Sequence, residues 1–223
     1  MSERRVVITG MGIVSPIGIG LDSFWSSLIE GKSGIKKISS LDPSDFYCQI
    51  GGEVHDFEPN LYFNNPKDAR RADRYCQLAM ASAKMAYEDA GICEGSFDPY
   101  RFGCMIGSGI GGLSTLEKQH QNYLERGASK VSPFLIPMMI ANISSGLVSM
   151  EYGLSGPNMS IVSACATANH NIGEAWRMIR FGDADIFLAG GAEASISTMG
   201  LSGFGSMKAL SSRNGGPGKA SRP

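Results

Sequence analysis

Two short apolar runs each end in glycine, and this pairing limits what the chain can fold into more than any other feature. Phe102-Gly103-Cys104-Met105-Ile106 breaks into Gly107-Ser108-Gly109-Ile110-Gly111-Gly112, and Asp185-Ile186-Phe187-Leu188-Ala189 stops at Gly190-Gly191. Continuous apolar runs of this length read as strands buried on both faces. Helical patterns separate them. Cys76, Ala79, Ala83, Ala86 and Ala90 recur at helical spacing over 72–90, just ahead of Gly91. A polar helix follows the first glycine cluster to about Arg126, an apolar one spans Met138 to Tyr152 before Gly153, and another leaves Ala164-Cys165 and ends near Gly182. Val6–Thr9 and Asn158–Ser163 read as further strands and Asp22–Ile29 as a short helix, while periodicity does not decide residues 35–66. Strands alternating with helices predict an α/β fold whose mostly parallel sheet is covered on both sides by helices.

Composition narrows the function classes. Apolar residues make up 43% of the chain and charged residues 18%, enough to build a core and too little charge for disorder. Twenty Lys and Arg against 21 Asp and Glu leave a net charge of −1, so no global field favours nucleic acid or an anionic membrane. No apolar stretch has the length of a signal peptide core or a membrane span. Five cysteines, with no C-x-x-C pair, indicate neither a disulfide framework nor a zinc site, and fit a reducing, cytoplasmic compartment. No metal or cofactor is expected.

Cys165 stands apart from the other four. In Ile161-Val162-Ser163-Ala164-Cys165-Ala166-Thr167-Ala168 a β-branched run meets a helix among small residues, which lets a nucleophile stand on a sharp turn with its side chain exposed. Free helix N–H groups there favour a thiolate and can donate to an oxyanion, so a thioester could form at this sulfur. Cys48, Cys76, Cys93 and Cys104 read instead as small buried hydrophobes. His55, His120 and His170 read as surface or satisfied histidines, because His170 follows Cys165 by five residues on one helix and points away from the thiol.

Two other patterns admit a competing reading. Gly107-x-Gly109-x-x-Gly112 between a strand and a helix formally satisfies the dinucleotide fingerprint, but the expected acidic residue after the next strand is missing, and the helix runs instead into Gly127-Ala128-Ser129-Lys130 and Pro133. Lys67, Arg70, Arg71 and Arg74 fall at i, i+3, i+4 and i+7, so a helix starting near Pro66 would carry four cations on one side. Cations at a helix start oppose its dipole, and Asp68 and Asp73 are at hand to compensate. A solvated face and an anion-docking face remain equal alternatives for this stripe.

Ser163-Ala164-Cys165-Ala166-Thr167-Ala168, followed by His170-Asn171-Ile172-Gly173-Glu174-Ala175, resembles the active-site segment of β-ketoacyl-acyl carrier protein synthases. The opening Arg5–Gly12 with Ser15-Pro16, the run Ile106–Gly112, the segment Gly182–Glu193 and the stretch Ala209–Pro223 resemble the same family in the same order, closest to its type II elongating enzyme. The resemblance covers essentially the whole chain. It implies a thiolase-like fold, a homodimer, and acyl transfer from carrier-protein phosphopantetheine to Cys165, followed by decarboxylative condensation with malonyl-acyl carrier protein. It also implies that Ile110 and Phe204 line the acyl pocket and that Leu135 enters it across the dimer, ordinary packing being the alternative for all three. Lys67, Arg70 and Arg71 match the family's carrier-docking cations, with Lys130 and Lys208 as additions. The family's two catalytic histidines and its lysine belong to a second half that would follow the polar loop 211–223, so 1–223 reads as an N-terminal half that is inactive in condensation alone. A non-catalytic scaffold or dimerisation fragment of the same fold is the alternative function.

Overall fold

The computed structural model describes residues 4–221. Along them lie strands β1 (Val14–Ser15) and β2 (Gly18–Ile19), helix α1 (Leu21–Ile29), strands β3 (Ile35–Lys37) and β4 (Ile50–Gly52), and helices α2 (Pro66–Ala69) and α3 (Arg74–Asp89). There follow β5 (Phe102–Gly107), α4 (Leu113–Arg126), α5 (Leu135–Met139), α6 (Ile143–Tyr152), α7 (Thr167–Phe181), β6 (Ile186–Gly191) and α8 (Thr198–Ser206). The chain divides into two compact units, one formed by Glu58–Ala194 with the N-terminal segment up to Gly12, the other by Ile13–Phe57 and the residues from Ser195 onward. Among the described residues no helix is long and apolar enough to cross a membrane.

In the first unit every residue of β5 is buried. It pairs in parallel with β6, from Phe102 opposite Ile186 to Gly107 opposite Gly191. Along its other edge the Cys104 N–H donates to the Pro157 carbonyl at 3.0 Å and the Met159 N–H to the Cys104 carbonyl at 3.3 Å. Side chains alternate across the sheet. Phe102, Cys104 and Ile106 join a core with Tyr75, Cys76 and Met80 of α3 and Val148 of α6. On the opposite face Gly107 lies against Thr167 and Asn171 of α7. Helices therefore lie on both faces of a parallel pair, as the alternation of elements predicts, but only β5 is buried throughout: in β6 Leu188 alone is buried and Gly191 is exposed, because no strand pairs with its other edge among the described residues. Ser144 and Ser145 of α6 are buried, and their hydroxyls donate to the Ile106 and Cys104 carbonyls at 2.8 and 2.7 Å, so burial leaves neither orphaned.

Three sequence expectations fail here for identifiable reasons. Asn158–Ser163 keeps only a single bridge, Asn158 to Cys104, because the next donors leave the sheet for α7 side chains: the Ile161 N–H goes to Asn171 Oδ1 at 2.8 Å and the Ser163 N–H to Thr167 Oγ1 at 2.9 Å. Val6–Thr9 forms no strand, since no ladder partner lies beside it among the described residues. This segment is held by side chains instead, with Arg4 reaching Asp185 at 2.7 Å and the Met11 N–H donating to Asp89 at 2.9 Å, while Val7 and Ile8 stand exposed. The helix expected over Met138–Tyr152 is two helices, because the carbonyls at the break are used elsewhere: Ile140 accepts from the Tyr75 hydroxyl at 2.5 Å and Ala141 from the Ser108 N–H at 3.1 Å.

The expected basic helix is also interrupted. It ends after Ala69 and restarts at Arg74, because Asp73 takes extended backbone angles and caps the new helix, accepting from the Tyr75 N–H at 3.2 Å. The other oxygen of Asp73 accepts from the Thr115 N–H at 3.2 Å and the Thr115 hydroxyl at 2.5 Å, in the first turn of α4. One buried carboxylate thus satisfies the starts of two helices, where negative charge also suits both dipoles. Cys93 corrects another expectation. It is exposed after the end of α3, whereas Cys48, Cys76 and Cys104 are buried as expected. Burial pushes the Cys104 thiol up to about 11 and the Cys76 thiol up to about 12, which keeps both protonated.

The second unit holds two antiparallel pairs, β1 with β2 and β3 with β4. Its small core joins Cys48, Ile50 and Ala220. The loop from Ser211 folds back onto this unit: Asn214 accepts from the Gln49 N–H at 2.9 Å and donates to the Tyr47 carbonyl at 3.3 Å. Arg222 and Pro223, the end of that loop, lie outside the described residues.

Two expectations follow for stability. Asp73→Ala strands the Tyr75 and Thr115 donors and should cost about 2–4 kcal/mol in urea denaturation, with Asp73→Asn costing less; a loss under about 1 kcal/mol would show that the shared cap is not holding the helices. A Cβ on Gly12 would lie 2.0 Å from the Ser82 carbonyl oxygen and 2.8 Å from the Ala86 nitrogen, both helix backbone. Gly12→Ala should therefore lift the N-terminal segment off α3, read as faster amide exchange at Met11 with α3 itself unchanged.

Candidate active site

Cys165 occupies a short 3₁₀ turn, Ala164–Ala166, that feeds directly into α7. It is exposed, at the start of the helix and not within its span. Ala164 carries φ of 53°, a left-handed conformation that costs a residue with a Cβ about 1–2 kcal/mol. Such strain persists only where the surroundings enforce it. Here Thr167 and Asn171, both buried, hold the incoming chain through the Ser163 and Ile161 amides, and Asn171 also donates to the Gly190 carbonyl at 3.1 Å. The sharp corner leaves Cys165 exposed. The Ala166 N–H closes the turn onto the Ser163 carbonyl at 3.1 Å, while the Cys165 N–H has no acceptor among the described residues and is free to donate to an oxyanion.

The glycine loop lies against this corner. A Cβ on Gly109 would sit 3.1 Å from the Ala164 carbonyl oxygen and 3.0 Å from Glu193 Oε2, so a side chain there would have to displace backbone or carboxylate. All the amides of the loop are accounted for. Ser108 donates to Ala141 and Gly112 to Met139 at 3.1 and 3.0 Å, Gly109 and Ile110 donate to Glu193 at 3.0 and 3.1 Å, and Gly111 donates to Ser108 Oγ at 2.8 Å. A dinucleotide phosphate would need those same donors. The fingerprint is therefore filled from within by a carboxylate of the chain itself.

Ile110, next along the loop from Gly109, is exposed. Leu135 is half-buried at the start of α5, whose last turn abuts Gly111 and Gly112. Phe204 lies on α8 and Lys208 just beyond it, both in the second unit. Lys67, Arg70 and Arg71 are exposed on and just after the single turn of α2, and Lys130 on the turn after α4. Arg71 pairs with Asp68 at 3.5 Å and lies 4.9 Å over the Phe134 ring, whereas Lys67 and Arg70 have no side-chain partner among the described residues. Arg74, the fourth cation of the expected stripe, is half-buried and does not share that exposed face.

Among the described residues none of the three histidines contacts the Cys165 sulfur. His170 Nδ1 pairs with Ser163 Oγ at 2.6 Å, His120 stacks on Tyr123, and His55 lies 3.9 Å from Glu53 in the second unit. Among the described residues no group of three or more His, Cys, Asp or Glu could hold a metal. The sequence marks Glu193 only as an acid two residues after Gly191, at the end of a segment that resembles the family, and gives it no role.

Comparison with known proteins gives the same picture. The family described as "Beta-ketoacyl synthase, N-terminal domain" matches residues 3–223. The chain is 49% identical over 223 residues to 3-oxoacyl-[acyl-carrier-protein] synthase 2 of Coxiella burnetii, covering all of this chain and 54% of that protein. It is 47% identical to the protein of the same name from Vibrio cholerae, again over all of this chain and 54% of the relative. A crystal structure of a β-ketoacyl synthase from Burkholderia phymatum superposes with a TM-score of 0.87 at 28% identity, over 98% of this chain and 54% of that one. The ketosynthase in a type II polyketide synthase complex, AntDE:AntF, solved with its acyl-carrier protein and bound to the hexaketide, superposes with a TM-score of 0.83 at 28% identity, over 95% and 51%. The chain thus spans about half the length of the relatives it matches, and the expected thiolase-like ketosynthase fold is borne out over that half. From its first strand-to-helix corner to its last loop, this chain belongs to the β-ketoacyl synthase family, as that family's N-terminal domain.

Proposed function

We propose that this chain supplies the acyl-accepting half of a 3-oxoacyl-acyl carrier protein synthase working in fatty-acid elongation. The observation that carries the reading is an exposed thiol at the start of α7, on a strained corner beside an unused amide. The Cys165 sulfur, as thiolate, attacks the carbonyl carbon of a carrier-bound thioester. The new C–S bond forms, the pantetheine C–S bond breaks, and the departing pantetheine sulfur takes up a proton. The Cys165 N–H, which has no acceptor among the described residues, would stabilise the oxyanion between those two events. Condensation follows when decarboxylation of malonyl-acyl carrier protein yields a carbanion that attacks the Cys165 thioester and releases the sulfur; the histidines and lysine this step calls for are expected in the second half of the relatives.

The exposed cations Lys67, Arg70 and Arg71, with Lys130 and Lys208, would dock the acidic carrier protein, a role in keeping with the carrier protein seen in the AntDE:AntF complex. Ile110, Leu135 and Phe204 would line the acyl pocket. A homodimer is the expected assembly, supported by the large apolar side chains Ile172, Trp176 and Phe181 that α7 leaves exposed. A reducing cytoplasmic setting suits five free cysteines.

Incubation with acyl-carrier protein should add one acyl mass to the protein by intact mass spectrometry, and Cys165→Ala should abolish the adduct. Folded protein that never acquires an adduct would favour the scaffold reading. Reversing Lys67 and Arg70 to Glu should weaken carrier-protein binding by about tenfold or more and flatten its salt dependence. Unchanged affinity in that double variant would move the docking surface elsewhere.

A further inference from the structure

The loop Ser108–Gly111 forms a concave set of donors around one side chain of the chain itself. The N–H groups of Gly109 and Ile110 both donate to Glu193 Oε2, at 3.0 and 3.1 Å. The other oxygen, Oε1, accepts from the Ser108 hydroxyl at 3.1 Å and from the Ala194 N–H at 3.3 Å. The Gly111 N–H donates to that same Ser108 hydroxyl at 2.8 Å, so Ser108, itself buried, relays a third loop amide to the carboxylate. Consecutive inward amides of this kind make an anion site, and here the anion is internal.

Its position is fixed from both sides. The Ala192 N–H donates to the Gly107 carbonyl at 3.0 Å, tying the chain just before Glu193 to the end of β5. The Gly109 position lies between Glu193 Oε2 and the carbonyl of Ala164, the residue that turns the corner into Cys165. A carboxylate that moved would release the amides of Gly109 and Ile110 together, and Ile110 is the loop residue with a large apolar side chain.

We propose that Glu193 is a positioning residue, a built-in anion that latches the glycine loop and so sets where Ile110 stands relative to the Cys165 sulfur, fixing what apolar chain can approach that sulfur. The proposal takes the acyl-accepting role of Cys165 from the reading above. Its work is geometric: a neutral oxygen in the same place would serve nearly as well, whereas loss of the side chain would leave four donors without an acceptor.

The test compares alkylation of Cys165 by iodoacetamide with alkylation by its N-hexyl and N-octyl derivatives, read by mass spectrometry on variants with matched thermal melts. Glu193→Ala should lower the ratio of long-tailed to untailed rates by about tenfold, as expected when a positioning element shifts by around an ångström, with the iodoacetamide rate itself little changed. Glu193→Gln offers its amide oxygen to Gly109 and Ile110 and its NH2 to the Ser108 hydroxyl, gives up only the 3.3 Å Ala194 contact, and should keep the ratio close to wild type. Ser108→Ala, which removes the hydroxyl contact to Oε1 and the acceptor of the Gly111 N–H while leaving Gly109 and Ile110 on Oε2, should shift the ratio in the same direction by less, and it decides the matter if Glu193→Ala does not fold. An unchanged ratio in Ser108→Ala and in any folded Glu193→Ala overturns the proposal, as does a Glu193→Gln variant that behaves like Glu193→Ala. Wild-type protein that is alkylated but never acylated by acyl-carrier protein would overturn the functional reading, and the alkylation ratios would still judge the latch.

Discussion

Two side chains on the first turns of α7 decide how the chain is delivered to its nucleophile. Thr167 and Asn171 take the amides of Ser163 and Ile161 at the point where a continuing strand would have given them to the sheet. Side-chain acceptors thus replace ladder partners, and the backbone is free to turn through Ala164 in a conformation that a regular strand could not contain. The exposure of Cys165, the free amide beside it and the close approach of the glycine loop all follow from that substitution. Without it the residues before Cys165 would run on along β5 and the sulfur would have no corner to stand on.

Much of this arrangement was legible in the residue pattern. The buried strand β5, the glycines that end α6 and α7, and a cysteine between a β-branched run and a helix are local features, written within a few positions of one another. What escaped reading depends on contacts between distant positions. Val6–Thr9 has the composition of a strand, but a strand also needs a neighbour, and composition says nothing about where one lies. The basic stripe has helical spacing, yet Asp73 ends it by serving a helix more than forty positions away, through Thr115.

Glu193 escaped for the same reason, since its partners Ser108, Gly109 and Ile110 precede it by more than eighty positions. Its effect on interpretation is large. A glycine pattern that matches a nucleotide-binding fingerprint is a statement about free amides, and here those amides are already engaged. The match in spacing is real, and the chemistry that would give it meaning is satisfied internally. Cys93 illustrates a simpler limit: a residue type that favours burial can still sit on a surface turn when the helix before it has ended.

The shared carboxylate of Asp73 also has a mechanical side. Because a single group anchors the opening turns of both α3 and α4, neither can fray without disturbing the other, and the loop Ser108–Gly112 that leads into α4 inherits that rigidity. The exposed arginines Arg70 and Arg71 lie immediately before the same anchor. Any force applied to that surface turn meets a firm abutment, and the scaffold around the sulfur is braced from outside as well as from within.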